Sequence, residues 1–268
     1  MGLRNLRAGI SAFTALALGL SAVACTAGRP GSENINAVEW MQTSAEYRGV
    51  AEQAYRQAAV SLAEALADSS WTADLDQTGE FAELPPAVIL DVDETVLDNS
   101  PFQVRLIETG REYNAEQWGE WVREERAEPI PGAVEFTRHA ASKGVAVFYV
   151  TNRDAELEHA TETNLLAYGF PLSVDEDRLL TRGEREEWGS NKATRRSFVG
   201  ERYRILLLVG DDLNDFLPAA ALSVEQRSEA AIRHSSFWGS RWIVLPNPAY
   251  GSWERALGAL TPAPPPSP

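Results

Sequence analysis

The most regular feature of the sequence is a series of short apolar runs that each end in polar residues. Four runs are rich in Val, Ile and Leu without alternating polar positions: AVILDVD (87–93), VAVFYVTN (145–152), RILLLVGDD (204–212) and RWIVLPN (241–247). Continuous apolar runs are typical of central parallel strands that helices cover on both faces. They therefore predict a parallel sheet in the middle of an α/β protein.

Helical periodicity fills the sequence around these runs. It is clearest over residues 34–68, which are rich in Ala, Glu, Gln and Leu and repeat apolar positions such as Val38 and Met41. Further helical stretches at 154–168 and 189–199 fit crossover connections between parallel strands. Together, the strands and helices predict a three-layer α/β/α sandwich.

The polar residues at the ends of the predicted strands are expected to meet in space. They follow three of the runs and are Asp91 and Asp93, then Thr151, Asn152 and Arg153, then Asp211, Asp212 and Asp215. In open parallel sheets, ligands bind beyond the carboxyl ends of the strands. The alternative is that each residue only caps a helix or closes a turn. Their joint placement favours a functional site.

Acidic side chains crowd the first of these strand ends. The segment AVILDVDETVLDNSPF (87–102) places Asp91, Asp93, Glu94 and Asp98 directly after an apolar run. Like charges this close repel each other and destabilise the fold, unless a cation or a reaction makes use of them. The segment therefore predicts that positive charge is supplied from elsewhere.

Composition narrows the classes of function. The chain has 268 residues, 44% of them hydrophobic and 24% charged, which is enough for one substantial core or at most two small domains. A formal net charge of −15 argues against binding of a nucleic-acid polymer, because phosphate backbones are bound by Lys and Arg. A small anionic substrate stays compatible with this charge, because a local cationic site can outweigh the global field.

Several motifs resemble those of the haloacid-dehalogenase-like (HAD) phosphatases. The four motifs of that superfamily are matched, in chain order, by ILDVDETVLDNSPF, VTN, Lys192 in SNKATRR, and GDDLND. Within the superfamily, DETVLDN, IPGAVEF, FYVTNR and LPNPAYGSWE are similar to the class C acid phosphatases, the lipoprotein e group of secreted 5′-nucleotidases. NAVEWMQTSAEY (36–47) resembles the N-terminal helix of the same group, so the resemblance covers roughly residues 34–255.

The resemblance implies a HAD-like fold and the hydrolysis of phosphate monoesters by covalent catalysis. Asp91 would be the nucleophile that forms an aspartyl-phosphate. Asp93 would be the general acid for the leaving alcohol and then the general base for water. A Mg²⁺ ion, or another divalent cation, would be held by Asp91, the backbone carbonyl of Asp93, Asp211 and Asp215.

The resemblance also implies three residues that bind the transferring phosphoryl group. Lys192 would supply a compact cation, while Thr151 and Asn152 would supply donors to the equatorial oxygens. Each has a structural alternative, because Lys192 can be a solvated helix residue and Thr151 and Asn152 can cap a helix. Ion pairing or loop capping is the expected role of four other polar residues, Arg153, Glu94, Asp98 and Asp212.

In the superfamily that the sequence resembles, the segment at residues 99–131 is a cap over the active site, so the resemblance implies a small helical cap there. Phe102 and Tyr250 lie at positions where the family has aromatic residues near the substrate, so stacking on the base of a nucleoside 5′-monophosphate is expected there. Trp118 and Trp121 are three residues apart on a predicted helix. Packing against the core is their expected role.

The N-terminal segment is expected to direct export. Residues 1–24 have Arg4 and Arg7 before an uncharged apolar run, the pattern of a secretory signal peptide. Cys25, the only cysteine, resembles the lipidated cysteine of a bacterial lipobox, although Ala22-Val23-Ala24 would equally suit ordinary cleavage. The expected location is the cell envelope, with a lipid as the only membrane attachment, or otherwise the periplasm or the medium.

The domain organisation follows from these segments. Residues 25–33 predict a flexible tether, residues 34–260 the phosphatase domain and residues 261–268 a disordered Pro-rich tail. The sequence leaves the oligomeric state open.

A ligand-binding surface lipoprotein, for example one that binds haem, is the alternative from a different class. The histidines are His139, His159 and His234, and the lone cysteine lies in the processing region, so haem ligation has few candidates. A binding protein also has no need for the full set of acids together with Thr151 and Lys192. The sequence therefore favours a metal-dependent phosphatase acting on small phosphomonoesters.

Overall fold

A parallel sheet forms the centre of the computed structural model, which describes residues 34–257. The strands in chain order are β1 (Pro86–Leu90), β2 (Leu97–Asp98), β3 (Glu128–Pro129), β4 (Ala146–Asp154), β5 (Leu179–Arg182), β6 (Arg204–Gly210) and β7 (Trp242–Val244). Five of these strands pair in the order β5-β4-β1-β6-β7, and every pair is parallel. The predicted α/β fold with a central parallel sheet is confirmed.

Helices cover both faces of this sheet. Within residues 34–257 they are α1 (Ile35–Thr43), α2 (Ala45–Ala67), α3 (Ser100–Thr109), α4 (Ala115–Arg123), α5 (Ala133–Ser142), α6 (Glu158–Tyr168), α7 (Ala193–Gly200), α8 (Leu213–Phe216), α9 (Val224–Arg233) and α10 (Ser252–Leu257). A short 3₁₀ turn at Ala155–Leu157 precedes α6. The helices thus provide the connections that a parallel sheet requires.

Two hydrophobic clusters, one on each face of the sheet, make the structure a three-layer sandwich. Alternate side chains of β1 enter different clusters, with Val88 and Leu90 on one face and Ile89 on the other. The first cluster contains apolar residues of α1 to α6, and the second contains those of α7, α8 and α9. Because both faces of β1 are buried, its sequence shows a continuous apolar run.

Some predicted boundaries differ from the structure. The helical stretch 34–68 is two helices, because Ser44 has extended backbone (ψ 137°) and caps α2 by accepting the N–H of Tyr47 at 3.0 Å. The stretch 189–199 becomes helical only at Ala193, and the edge strand β5 has no counterpart among the predicted runs.

The segment between Asn99 and Pro131, where a cap was predicted, contains α3, α4 and β3. β3 pairs antiparallel with β2 to form a small ribbon at the base of this segment. Helix α3 ends at Thr109, and its C-cap Gly110 has a φ of 63°, which lies in the left-handed region that favours glycine.

The predicted signal peptide (1–24), the tether (25–33) with Cys25, the tail (261–268) and the last residues of the predicted domain (258–260) lie outside the described residues. Among the helices that are described, none combines the length and the apolar character needed to cross a bilayer.

Candidate active site

Three strand ends bring the candidate residues together. β1 lies between β4 and β6 in the sheet, so the carboxyl ends of these strands are neighbours. Asp91 directly follows β1, and its backbone N–H donates to the carbonyl of Val209 in β6 at 2.9 Å. Thr151 lies in the last part of β4, and Asp211 directly follows β6.

Lys192 lies between two of the acids. Its Nζ is 2.5 Å from Asp91 Oδ1 and 2.6 Å from Asp215 Oδ1, and only 5% of its side chain is exposed. Burial lowers the pKa of Lys192, but Asp215 and Asp91 more than offset this effect, so the pKa is raised. The predicted alternative for Lys192, a solvated helix residue, is wrong, because this side chain is a buried and charged cation.

Asp91 is a carboxylate under opposing influences. Burial raises its pKa to about 7, Lys192 opposes this rise, and Asp215 and Asp93 add to it. A cation close to Asp91 therefore favours the ionised carboxylate, which is the nucleophilic form.

Asp211 completes a group of three carboxylates. Oxygen atoms of Asp91, Asp211 and Asp215 all lie within 4.8 Å of one another. Asn247 Nδ2 donates to Asp211 Oδ2 at 2.8 Å, and burial, followed by the charges of Asp215 and Asp91, raises the pKa of Asp211. This donor set fits a divalent cation, because carboxylate oxygens are the hard ligands that Mg²⁺ and Ca²⁺ prefer and a cation here would relieve the repulsion.

Asp93 faces a different set of partners. Arg153 donates to its Oδ1 from Nη2 at 2.8 Å and from Nε at 3.0 Å, and Asn99 Nδ2 donates to the same oxygen at 2.9 Å. The ion pairing expected for Arg153 is confirmed.

Thr151 and Asn152 are held by other residues of the site. Thr151 is buried, and its Oγ1 lies 3.5 Å from Asp93 Oδ2. Asn152 uses both polar groups of its side chain, because Nδ2 donates to the carbonyl of Ser190 at 3.1 Å and Oδ1 accepts from Arg195 Nη2 at 2.6 Å. The phosphate-binding role of these two residues stays a prediction.

Two buried arginines behind the site were not among the residues predicted from the sequence. Arg195 donates to the carbonyl of Thr151 as well as to Asn152, and Arg196 Nη1 donates to the carbonyl of Asp215 at 3.1 Å. The available signal was their spacing, because they follow Lys192 by three and four residues and such positions share one face of a helix. Asn247 lies three residues after the end of β7, so its position after a predicted strand was also a signal.

The remaining polar residues of these segments stabilise loops. Asp98 accepts the N–H of Ser100 at 2.8 Å at the start of α3, and Asp212 accepts the N–H of Asn214 at 2.8 Å at the start of α8. Glu94 is buried, has a φ of 53° and accepts the N–H of Asn99 at 2.8 Å. Loop capping, as expected, is the role seen for these three acids.

A cleft of about 640 Å³ opens above the acids. Its walls include the acidic group, Asp93 and Lys192, and also both residues predicted to stack on a substrate, Phe102 and Tyr250.

Phe102 is only 2% exposed and packs edge-on against Trp118, with 5.2 Å between the ring centroids. Trp118 itself lines the cleft, whereas Trp121 is buried, so the expected packing role fits Trp121 better than Trp118. None of the histidines lies among the described lining residues.

A family model and similar solved structures both identify acid phosphatases as the relatives of this chain. The family model "HAD superfamily, subfamily IIIB (Acid phosphatase)" matches residues 14–253. The structure of the class C acid phosphatase from Bacillus anthracis is similar with a TM-score of 0.75 and 33% identity, over 86% of this chain and 90% of that one. A tungstate-bound structure of the same enzyme gives a TM-score of 0.74 and 32% identity over the same shares.

Two plant proteins are more distant relatives. The stem 31 kDa glycoprotein of Glycine max is 26% identical over 166 residues, which is 60% of this chain and 58% of that protein. Acid phosphatase 1 of Solanum lycopersicum is 26% identical over 187 residues, 65% of each chain. The match thus spans less than two thirds of the length of either plant protein.

Proposed function

The chain belongs to the subfamily IIIB acid phosphatases of the HAD superfamily, and on that basis we propose that it hydrolyses phosphate monoesters with Asp91 as the nucleophile. One observation carries this proposal, which is the position of Lys192 Nζ at 2.5 Å from Asp91 and 2.6 Å from Asp215 in a cleft that also contains Asp93. A buried cation next to the nucleophile keeps it ionised and balances the charge of a phosphoryl group.

In the first step, a carboxylate oxygen of Asp91 attacks phosphorus and the bond from phosphorus to the ester oxygen breaks. The electron pair of that bond stays on the ester oxygen, which takes a proton from Asp93 and leaves as an alcohol. In the second step, Asp93 takes a proton from water while the water oxygen attacks phosphorus. The aspartyl-phosphate bond breaks, and inorganic phosphate and the original Asp91 carboxylate result.

The charge on the transferring group would be balanced by fixed donors of the protein. Lys192 supplies the positive charge, and Thr151 and the backbone of Asn152 supply donors at the end of β4. Arg195 supports these donors from behind, because it binds the Thr151 carbonyl and the Asn152 side chain.

A divalent cation, with Mg²⁺ as the first candidate, would be held by Asp91, Asp211 and Asp215, with the backbone carbonyl of Asp93 as a further ligand. Support comes from the closeness of the three carboxylates, whose oxygens lie within 4.8 Å of one another. When bound, the ion would neutralise the acids and polarise the phosphoryl group.

Nucleoside 5′-monophosphates are the proposed substrates. The cleft of about 640 Å³ is large enough for a nucleotide. Its lining includes Tyr250, and also Phe102 with the two aromatic residues that pack against it, Tyr113 and Trp118. The structure of the Bacillus anthracis enzyme with tungstate bound supports an oxyanion as a ligand, since tungstate is an oxyanion like phosphate. Within residues 34–257, no histidine lines the cleft, so the described structure does not favour the haem-binding alternative.

We further propose that the protein is exported and attached to the cell envelope through lipidated Cys25. The apolar segment before this cysteine supports that proposal. Mass spectrometry of the N-terminal peptide of membrane-bound protein tests it. Free Cys25 or an N-terminus elsewhere would contradict lipidation.

Phosphate release by the purified protein tests the activity. The substrates are AMP, other nucleoside monophosphates, sugar phosphates and glycerol phosphate, each with Mg²⁺ and with a chelator. We expect release that requires the metal and is fastest with the nucleotides. Release from none of these substrates would contradict the proposed function.

A further inference from the structure

The hydrogen bonds around Asp93 distinguish its two carboxylate oxygens. Three donors converge on Oδ1, namely Arg153 Nη2 at 2.8 Å, Asn99 Nδ2 at 2.9 Å and Arg153 Nε at 3.0 Å. Within residues 34–257, Oδ2 has one hydrogen-bond partner, Thr151 Oγ1 at 3.5 Å. An oxygen that already accepts three hydrogen bonds has no room for a proton of its own.

We propose that Arg153 and the Asn99–Trp121 pair are positioning residues that hold Asp93 by Oδ1, so that Oδ2 alone carries the proton given to the leaving group. The proposal rests on the proposed function, in which Asp93 is the general acid. In the reaction, the proton on Oδ2 passes to the ester oxygen as the bond to phosphorus breaks. In the second step, Oδ2 takes a proton back from water.

Arg153 lines the cleft, but its side chain is engaged in contacts within the protein. It is 1% exposed, and its third nitrogen, Nη1, donates to Thr161 Oγ1 in α6 at 3.1 Å. Its guanidinium carbon also lies 5.5 Å from the ring centroid of Trp118 in α4. The planar fork is therefore fixed from several directions, and its two remaining nitrogens point at a single oxygen of Asp93.

The second positioning contact reaches Asp93 from α4 through Asn99. The indole Nε1 of Trp121 donates to Asn99 Oδ1 at 2.8 Å. An indole N–H can only donate, so the carbonyl side of the Asn99 amide must face Trp121 and the NH₂ side must face Asp93. Arg153 Nη2 also donates to Asn99 Oδ1, at the longer distance of 3.4 Å. Trp121 thus makes the shorter of the two bonds that orient the amide, and it lies outside the lining of the cleft.

Two conservative variants test the proposal. Arg153→Lys keeps the charge and loses the fork, and Trp121→Phe keeps a buried aromatic ring and loses the indole N–H. Each is assayed for kcat/KM with p-nitrophenyl phosphate, whose leaving group departs without a proton, and with glycerol phosphate, whose leaving group needs one. We expect the loss to be roughly tenfold greater with glycerol phosphate, a fraction of the 10²–10⁴ that general acid catalysis contributes.

Matched controls lie elsewhere in the fold. Trp71 is also buried, donates its indole N–H at 2.8 Å to the carbonyl of Leu206 and has an arginine over its ring, so Trp71→Phe makes the same change away from the cleft. Arg178 pairs with Glu176 at 3.0 Å and lies 5.6 Å from the Phe148 ring centroid, so Arg178→Lys matches Arg153→Lys. Both controls should leave the ratio of the two kcat/KM values at its wild-type value.

The outcomes separate this inference from the proposed function. A ratio that stays at the wild-type value in folded Trp121→Phe, or an equal loss with both substrates in folded Arg153→Lys, overturns the positioning role while the phosphatase activity stands. If Arg153→Lys fails to fold, Trp121→Phe decides alone. A wild-type protein that releases phosphate from neither substrate overturns the proposed function and the inference that rests on it.

Discussion

At the scale of single residues, Asp91 and Asp93 are the same side chain with different surroundings. Asp91 faces Lys192, a cation that stabilises its ionised form, whereas Asp93 is held at one oxygen by Arg153 and Asn99. A nucleophile needs a charged oxygen, and an acid-base group needs an oxygen that can gain and lose a proton. The partners of each residue match the role proposed for it.

The nucleophile can be tested by an isosteric change. We expect Asp91→Asn to lower the turnover of p-nitrophenyl phosphate by at least about 10³-fold, because an amide is not a nucleophile of comparable strength. The free energy of unfolding should not fall, since the change removes one charge from a repelling group. Steady-state kinetics and urea unfolding measure the two effects.

Asp98→Asn is the matched control for that experiment. Asp98 lies seven residues further on and outside the lining of the cleft, and an asparagine oxygen can still accept the N–H of Ser100. Its activity should stay near the wild-type value. Substantial activity in a folded Asp91→Asn variant would contradict the assignment of the nucleophile.

At this scale, the sequence predicts residues that follow strands better than residues that support them. Asp91 and Thr151 could be predicted from the sequence, because each is a polar residue at the end of an apolar run. Arg195 is part of a helix and is charged, and both properties are typical of surface positions. Its burial depends on the packing of α7 against the sheet, where its guanidinium donates to carbonyls of β4 and β5, and only the three-dimensional structure reveals this.

At the scale of elements, the break between α1 and α2 also could not be predicted from the sequence pattern. Apolar positions continue across Ser44, so periodicity predicts one helix over 34–68, while the structure ends α1 at Thr43. A serine within a periodic stretch is compatible with a helix interior and with an N-cap. Contacts of α1 with α3 accompany the change of direction, and such contacts are non-local.

The segment between β5 and α7, which leads to Lys192, contains a carboxyl group with a shifted pKa. Burial raises the pKa of Glu184 to about 7, and Asp177 and Glu158 add to the rise, while a hydrogen bond from the Thr181 N–H opposes it. The ordinary value is 4.5. Between these values the folded protein keeps a proton that the unfolded chain has released, so stability falls as the pH rises through this window.

Glu184→Gln tests this dependence, because an amide does not titrate. We expect the melting temperature of the wild type to fall between pH 5 and pH 8 by more than that of the variant, and the two should differ most at pH 8. Glu186→Gln, an exposed neighbour in the same segment, is the control and should follow the wild type. Parallel curves for wild type and Glu184→Gln would contradict the assignment.

At the scale of the whole molecule, the distribution of charge differs from its sum. The chain has a formal net charge of −15, yet four of its cations are buried around the candidate site, Lys192, Arg153, Arg195 and Arg196. The fold thus places buried cations directly against the acids of the site, so the local field differs from the outer field of the acidic chain. Composition predicts only the outer field, because the inner one depends on the fold bringing Lys192, at the start of α7, and Arg153, in β4, to the acids that follow β1.

The cation proposed for the acidic group should stabilise the whole fold. Ligands that bind only the native state stabilise it by mass action, by about 2.7 kcal/mol at a concentration 100 times the dissociation constant. Burial raises the pKa values of Asp91 and Asp211, and repulsion from neighbouring carboxylates adds to the rise although Lys192 opposes it, so a divalent cation here would relieve the remaining repulsion. We therefore expect Mg²⁺ to raise the melting temperature of chelator-treated wild-type protein and to restore its activity. The increase in melting temperature should be lost in Asp211→Asn and kept in Asp98→Asn, whose acid lies outside the group of three carboxylates. A melting temperature that does not change with Mg²⁺, together with full activity after exhaustive EDTA treatment, would show that these carboxylates do not hold a functional metal.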